Sequence, residues 1–442
     1  MTPNIETNNK QQERAYLVGV EIKGTRSLLS INDSLSELGL LAQTADLEVV
    51  GQTVQRLDKI NPATYIGSGK AEEISLAIEE LDVQVIIFDD ELSPRHQREL
   101  EKCFGKNIKV LDRSVLILDI FAKNARTREG ALQVELAQYE YRLPRLTRQW
   151  THLARQTGGG AARGGIGGVG LRGPGETQLE VDRREISRKI TRLKSDLELV
   201  RLHREQYRAR RTQAGISVVA LVGYTNAGKS TLLHVLTNSD VYIADELFAT
   251  LDPTTRRLTL PSGRNVLLTD TVGFIQKLPT TLIAAFRATL EEIAYADLIL
   301  HVVDASHPNA LQHVETVEDT LAEIDIPSIP RILVWNKIDR LQHDDIFLSP
   351  SDYSETNYIA DVSLSAINGV GLDELKEMID VALAGKLKQV KLLLPYKRGD
   401  LLSLLHEQAM VENQEFCEDG VVLTVRLPHY LSKQFKAYQL TG

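Results

Sequence analysis

Five short strings carry the chemistry of this chain. Residues 216–222 read as a strand that runs directly into Gly223-Tyr224-Thr225-Asn226-Ala227-Gly228-Lys229-Ser230, followed by an apolar helical stretch. This is the spacing of a phosphate loop, in the strand–loop–helix context that gives the spacing meaning. The glycines let successive N–H groups face phosphate oxygens, Lys229 neutralises the β- and γ-phosphates, and the Ser230 hydroxyl suits Mg²⁺. A phosphate loop alone does not choose between ATP and GTP. That choice falls to Asn336-Lys337-Ile338-Asp339, at the end of another strand. The Asp339 carboxylate only accepts hydrogen bonds, so it suits the N1–H and exocyclic amine of guanine, a pair that adenine does not offer. Asn336 either bonds the purine's acceptor edge or ties its loop to the phosphate loop, while the Lys337 stem packs over the ring.

Three weaker strings complete the set. A strand over 266–269 ends in Asp270-Thr271-Val272-Gly273, where Asp270 reaches Mg²⁺ through a water and the Gly273 N–H senses the γ-phosphate. Phe248-Ala249-Thr250-Leu251-Asp252 lies in a loop and supplies Thr250 as a second hydroxyl for Mg²⁺, with Thr254 and Thr255 as competitors. Ser365-Ala366 follows a strand ending near Leu364 and offers a backbone N–H to guanine O6. In this order the five strings predict a GTP-binding, GTP-hydrolysing domain. Phe274 follows Gly273, where a Gln would orient the attacking water. A phenyl ring cannot polarise water, so no catalytic side chain is assigned and slow intrinsic hydrolysis is expected.

The elements that must position these residues form an α/β chain of several parts. The 442 residues suit two to four domains, and ordinary glycine and proline counts exclude a fibrous or disordered chain. Residues 1–15 read as a polar leader. Over 16–111, β-branched runs alternate with amphipathic stretches, including 70–81 and 94–104, which indicates a small α/β domain. Gly67-Ser68-Gly69-Lys70 within it reads as a strand-to-helix turn, since it lacks phosphate-loop spacing. Residues 112–213 read as a long antiparallel helical hairpin. Leu132, Leu136, Tyr139, Leu143, Leu146, Trp150 and Leu153 form one heptad seam, with Pro144 expected to kink that arm. Ile186, Ile190, Leu193, Leu197 and Val200 form the other seam. The GTPase domain occupies 214–386. A small α+β module over 387–442 reads strand, helix through Met410, strand, helix.

The loop joining the two arms, residues 158–175, holds ten glycines in eighteen residues, with Arg163 and Arg172 and no acid. It has too little apolar surface to pack alone and suits a phosphate-rich partner. Residues 142–211 carry seventeen Lys and Arg against seven Asp and Glu. The total formal charge of −9 therefore divides into +10 there and −19 elsewhere. The sparse aromatics in this stretch favour duplex or folded RNA backbone over stacked single-stranded bases.

Taken together, the strings resemble the HflX family within the Obg/HflX group of P-loop GTPases. Phe248-Ala249-Thr250-Leu251-Asp252 is similar to that family's first switch string. Gly170-Leu171-Arg172-Gly173-Pro174-Gly175-Glu176-Thr177-Gln178-Leu179-Glu180 looks like its hallmark segment, and Tyr65-Ile66-Gly67-Ser68-Gly69-Lys70 looks like its N-terminal domain. The resemblance covers roughly residues 16–385. It implies a factor that binds the large ribosomal subunit, directs the hairpin and its loop towards the peptidyl-transferase region, and splits stalled or idle ribosomes. Ribosomal RNA or protein would then activate hydrolysis. Asn226 stands where potassium-stimulated GTPases of this broad class have an Asn that helps to hold the ion, so K⁺ joins Mg²⁺ as an expected cofactor.

Two other readings use the same motifs: a large-subunit assembly GTPase, and an RNA-binding regulatory switch without a ribosomal role. Cys103 and Cys417 stand alone, which excludes a disulfide framework and a Cys-based zinc site. No apolar run approaches the ~20 residues of a membrane span. A monomeric, cytoplasmic protein is expected.

Overall fold

The computed structural model describes residues 12–146, 174–278, 292–341 and 358–440, apart from the intervals 25–27, 106, 214–215, 239–246, 249–250, 324–328, 385–387, 400, 403–404, 406–409, 418, 428–434 and 436–437. The chain divides into two compact units: residues 1–198 with 277–285, and residues 199–276 with 286–442.

The first unit is built on a four-stranded parallel sheet, β1 (Glu13–Ile22), β2 (Leu47–Leu57), β3 (Val85–Phe88) and β4 (Lys109–Asp112), in the order β2-β1-β3-β4. β3 reads Val-Ile-Ile-Phe and is buried throughout, as a strand covered on both faces must be. Helices α1 (Ile31–Thr44), α2 (Ser68–Glu80) and α3 (Pro94–Phe104) alternate with the strands. Gly67 is the N-cap of α2, so Gly67-Ser68-Gly69-Lys70 is the strand-to-helix turn that the sequence indicates. Lys70 pairs with Glu73 at 2.7 Å.

Helix α4 (Arg113–Asn124) follows β4 without a break and buries Leu116, Ile117, Ile120 and Phe121. From sequence this stretch is expected at the start of the hairpin. Its apolar residues are too densely spaced for a two-helix seam, and it packs on α1 as well as on α5 (Arg128–Arg142). Helix α5 ends at Arg142, capped by Leu143, so Pro144 follows the helix end and does not kink it. A proline just beyond the C-cap cannot continue the helix.

Helix α6 (Pro174–Gln213) supplies the second arm. The seam is present where both arms are described: Leu136, Ile190 and Leu193 are buried together, flanked by Leu132, Tyr139, Leu143, Ile186 and Leu197. Pro174 and Gly175, read as the end of the glycine-rich loop, belong to the first turn of α6, where proline is tolerated because its missing N–H has no helical partner. Leu146 closes the described part of the first arm; Trp150, Leu153 and the loop up to residue 173 lie outside the described residues.

One cluster in this unit is charged and buried. Asp89, directly after β3, accepts from Ser34 Oγ at 2.7 Å and from Arg113 at 2.8 Å, and it also pairs with Lys277. Burial alone would raise its pKa, but Arg113 and Lys277 hold the carboxyl below the usual range.

The second unit carries a six-stranded sheet in the order β10-β9-β8-β5-β7-β6. Its strands are β5 (Val218–Val222), β6 (Thr254–Thr259), β7 (Asn265–Asp270), β8 (Leu298–Asp304), β9 (Arg331–Asn336) and β10 (Tyr358–Ser363). All neighbours pair in parallel except β6 with β7. Helices α7 (Lys229–Thr237), α8 (Ala310–Glu323) and α9 (Leu372–Ala384) pack on it. Val219, Leu221, Leu232, Leu268, Leu300, Ile332 and Val334 form one core cluster. At about 1.5–3 kcal/mol for each fully buried side chain, this core holds the strand ends in register. Those ends carry Gly223, Asp270, Asp304 and Asn336.

The C-terminal part is a three-stranded antiparallel sheet, β11 (Lys388–Leu394), β12 (Met410–Cys417) and β13 (Gly420–Leu427), in the order β11-β13-β12. β12 is absent from the sequence reading, which ended a helix at Met410. Its sequence, MVENQEFC, is polar because it forms a sheet edge with Glu412, Asn413, Glu415 and Phe416 exposed.

Candidate GTP site

Two glycines of the phosphate loop are dictated by contact. A Cβ on Gly223 would lie 2.1 Å from the Val302 carbonyl oxygen, and one on Gly228 would lie 2.3 Å from Asn336 Nδ2. Gly228 also has φ of 92°, in the left-handed region, as the N-cap of α7.

The loop is tied to the other strings at several points. Asn336 Nδ2 donates to the Ala227 carbonyl at 2.9 Å, and its Oδ1 accepts from the Ala366 amide at 3.1 Å. Of the two roles open to Asn336, this geometry selects the loop tie. Lys337 has φ of 65°, and its ammonium donates to the Asn226 carbonyl and to Asp304 Oδ2, both at 2.7 Å. Asp339 Oδ1 accepts from Ser365 Oγ at 2.5 Å. The Ser365 amide donates to Val370 O at 3.1 Å, so a guanine O6 at this turn would share the Ala366 amide with Asn336. Ile338 begins the short 3-10 turn that carries Asp339.

On the phosphate side, Lys229 is buried and donates to the carbonyls of Gly223 at 3.0 Å and Tyr224 at 2.7 Å. Ser230 Oγ donates to Asp270 Oδ2 at 2.6 Å. A hydroxyl and a carboxylate this close are hard oxygen donors of the kind Mg²⁺ takes alongside nucleotide phosphates. Among the described residues no cluster of three or more His, Cys, Asp or Glu side chains forms a separate metal site. Thr271 Oγ1 donates to the Leu221 carbonyl at 2.6 Å, and Val272 is buried. Gly273 lies against the phosphate loop: a Cβ there would be 3.0 Å from Thr225 Cα and 3.1 Å from Lys229 Nζ.

Thr255 shares a hydrogen bond with Thr269 across β6 and β7 at 3.0 Å. Phe248 is buried with φ of 58°, and Leu251 is also buried, with Asp252 partly so. Ala249 and Thr250 lie outside the described residues.

Several contributors have no motif of their own. Asp304, which holds Lys337, ends β8, and a strand ending in an acid level with the phosphate loop is the signal that could have found it. Tyr224 stacks face to face on His313 of α8, with ring centroids 3.8 Å apart and an interplanar angle of 2°. The Tyr224 hydroxyl accepts from the Gln276 amide at 3.0 Å. Phe274 is 2% exposed, and its backbone is clamped to the phosphate loop. Thr225 N donates to Phe274 O at 2.8 Å and Phe274 N donates to Gly223 O at 3.1 Å.

Burial holds the Lys229 ammonium down to about 8, against the opposing pull of Asp270. Nucleotide phosphates favour the charged form, so binding at pH above about 8 must take up a proton. GDP affinity is expected to be level near neutral pH and to fall as pH rises through about 8, by at most about tenfold per unit. Calorimetric titration in two buffers of different ionisation enthalpy measures this; binding without proton uptake at pH of about 8.5 would contradict it.

Four family models match consecutive parts of the chain. They are described as GTP-binding GTPase N-terminal (residues 32–122), GTP-binding GTPase Middle Region (124–211), 50S ribosome-binding GTPase (218–337) and HflX C-terminal domain (354–437). The chain is 46% identical over 412 residues to GTPase HflX of Caldanaerobacter subterraneus subsp. tengcongensis, covering 93% of this chain and 90% of that one. It is 43% identical over 417 residues to GTPase HflX of Escherichia coli (strain K12), covering 94% of each. A GTP-binding protein from the archaeon Sulfolobus solfataricus, crystallised with GDP, aligns over 84% of this chain and 98% of its own, at 23% identity and a TM-score of 0.44.

Proposed function

The chain belongs to the HflX family of GTPases, and from that premise we propose that it binds the large ribosomal subunit and uses GTP to split stalled or idle ribosomes. It binds and hydrolyses GTP as its family does. The family description attached to residues 218–337, a 50S ribosome-binding GTPase, supports the ribosomal reading. The observation that carries it is the exposed basic surface of α6. Arg183, Arg184, Arg188, Lys189, Arg192 and Lys194 are all exposed. Some of this charge is neutralised: Arg184 pairs with Glu180 at 3.1 Å and Lys194 with Glu140 at 2.8 Å. Arg183 and Arg188 have no acidic partner among the described residues, so they remain available to phosphate oxygens.

In this reading the basic arms over 112–213, with the glycine-rich loop 158–175, engage ribosomal RNA, and the protein works as a cytoplasmic monomer. Ser230 and Thr250 would ligate Mg²⁺ and Asp270 would hold it through a water, and the ion would supply charge neutralisation to the nucleotide phosphates. Lys229 and the loop amides hold the phosphates, Asp339 reads guanine, and Gly273 responds to the γ-phosphate. Hydrolysis is slow until the ribosome completes the site, since Phe274 supplies no water-orienting group. Asn226 helps to hold K⁺.

The test is sedimentation with purified ribosomes in GTP and GDP, followed by sucrose-gradient profiles. GTP-dependent co-sedimentation and loss of intact ribosomes are expected; binding that leaves every ribosome intact would sink the splitting step. Charge reversal at Arg183 and Arg188 is expected to weaken co-sedimentation by about tenfold or more and to flatten its salt dependence. Equal ribosome-stimulated turnover in sodium and potassium buffers would remove K⁺ from the mechanism.

A further inference from the structure

We infer that the Thr225 side chain is a catalytic residue, its hydroxyl donating a hydrogen bond to a γ-phosphoryl oxygen of GTP as the bond to the β-phosphate breaks. Thr225 is 8% exposed, and its Oγ1 is buried without a hydrogen-bond partner among the described residues. A buried hydroxyl left unpaired is costly, and such groups in native proteins call for an explanation. Packing alone does not supply one here. The methyl Cγ2 already fills the space beside Gly273, where a Cβ would lie 3.0 Å from it. Valine would pack as well without the orphaned oxygen.

The position of the residue points to phosphate. Thr225 lies between Gly223 and Lys229 in the loop that cradles phosphates, and it converges with Lys229 Nζ on Gly273, the residue that follows the γ-phosphate. Its backbone amide is already used by the Phe274 carbonyl at 2.8 Å, so only the side chain has a donor left to give. The neighbouring groups are committed elsewhere. Tyr224 meets His313 and the Gln276 amide, and Ser230 Oγ donates to Asp270. Phe274 is buried where other GTPases place a Gln, so the chain lacks a polar side chain from that quarter.

In phosphoryl transfer, charge spreads over the γ-phosphoryl oxygens at the transition state. A donor fixed in a dry loop stabilises that charge more than it stabilises bound GTP, and it does nothing for GDP. The hydroxyl keeps its proton throughout, so no bond to Thr225 forms or breaks.

Two substitutions separate the hydroxyl from the methyl. Thr225→Val keeps the shape and removes the donor, while Thr225→Ser keeps the donor and removes the methyl. Single-turnover GTP hydrolysis by the full chain, without ribosomes, is expected to slow by about fivefold or more in T225V. In T225S it should stay within about threefold of the unaltered chain, and GDP affinity should stay within about twofold in both. A smaller loss in T225V, equal losses in both variants, or a loss of GDP affinity parallel to the loss of rate would each overturn the assignment.

Discussion

Asp339→Asn is expected to weaken GTP and GDP binding by about a hundredfold or more and to create binding of the corresponding xanthine nucleotides. The carboxylate offers guanine two acceptors that carry charge. An amide turns one of them into a donor facing the N1–H, which removes two charge-assisted bonds and leaves two donors opposed. The direction of the amide is set by the structure. Ser365 Oγ donates to Asp339 Oδ1 at 2.5 Å, so in the variant the amide oxygen keeps that bond and the NH₂ turns to the base. Xanthine carries a carbonyl where guanine carries the exocyclic amine, and can accept from it. Fluorescent-nucleotide titration gives both affinities. GTP binding within about tenfold of the unaltered chain would show that Asp339 does not read the base.

Lys229→Met is expected to reduce GTP turnover by about a hundred- to a thousandfold while leaving the melting temperature within a few degrees. Methionine has nearly the length of lysine and no charge. The substitution deprives the carbonyls of Gly223 and Tyr224 of a donor, which disfavours the fold. It also removes an ammonium whose burial lowers its pKa to about 8, which favours the fold. These terms oppose each other, whereas the loss of charge beside the γ-phosphate has no compensation. Calorimetry and a turnover assay on one preparation measure the two effects. Turnover within about tenfold of the unaltered chain would deny Lys229 its role, and a collapse of the melting transition would mean that the fold depends on it.

The strand–loop–helix form of the phosphate loop was legible because it depends on local spacing. Gly223 to Gly228 is a turn between one strand and one helix, although its glycines are required by contacts with Val302 and Asn336. What joins the strings was less legible. Asn336 meets Ala227 across 109 residues and Lys337 meets Asn226 across 111, and the sequence left open whether Asn336 faced the purine or the loop. The stack of Tyr224 on His313 has no periodic or spacing signal, since it depends on how α8 packs beside the end of β5. Helix α4 was read into the hairpin because its apolar residues are dense enough to satisfy several patterns at once. β12 was missed for the opposite reason: it is an edge strand with exposed residues on both faces, Glu412 and Asn413 then Glu415 and Phe416, so it shows little apolar alternation. Pro144 is expected from sequence to kink the arm, whereas the helix before it ends at Arg142. A proline gives the same local signal in both cases, and the difference depends on whether residues beyond it continue the packing.

The pairing of Phe274 with Gly223 and Thr225 bears on the rate of switching. Its N–H and its carbonyl both bond to the phosphate loop, so moving the Phe274 backbone away from the loop costs two hydrogen bonds. At about 0.5–1.5 kcal/mol each, these bonds add to the burial of the Phe274 side chain in holding the segment against the loop. In the proposed mechanism the Gly273 amide meets the γ-phosphate, which GTP carries and GDP does not, so only GTP would act on this clamp. The clamp therefore acts as a threshold.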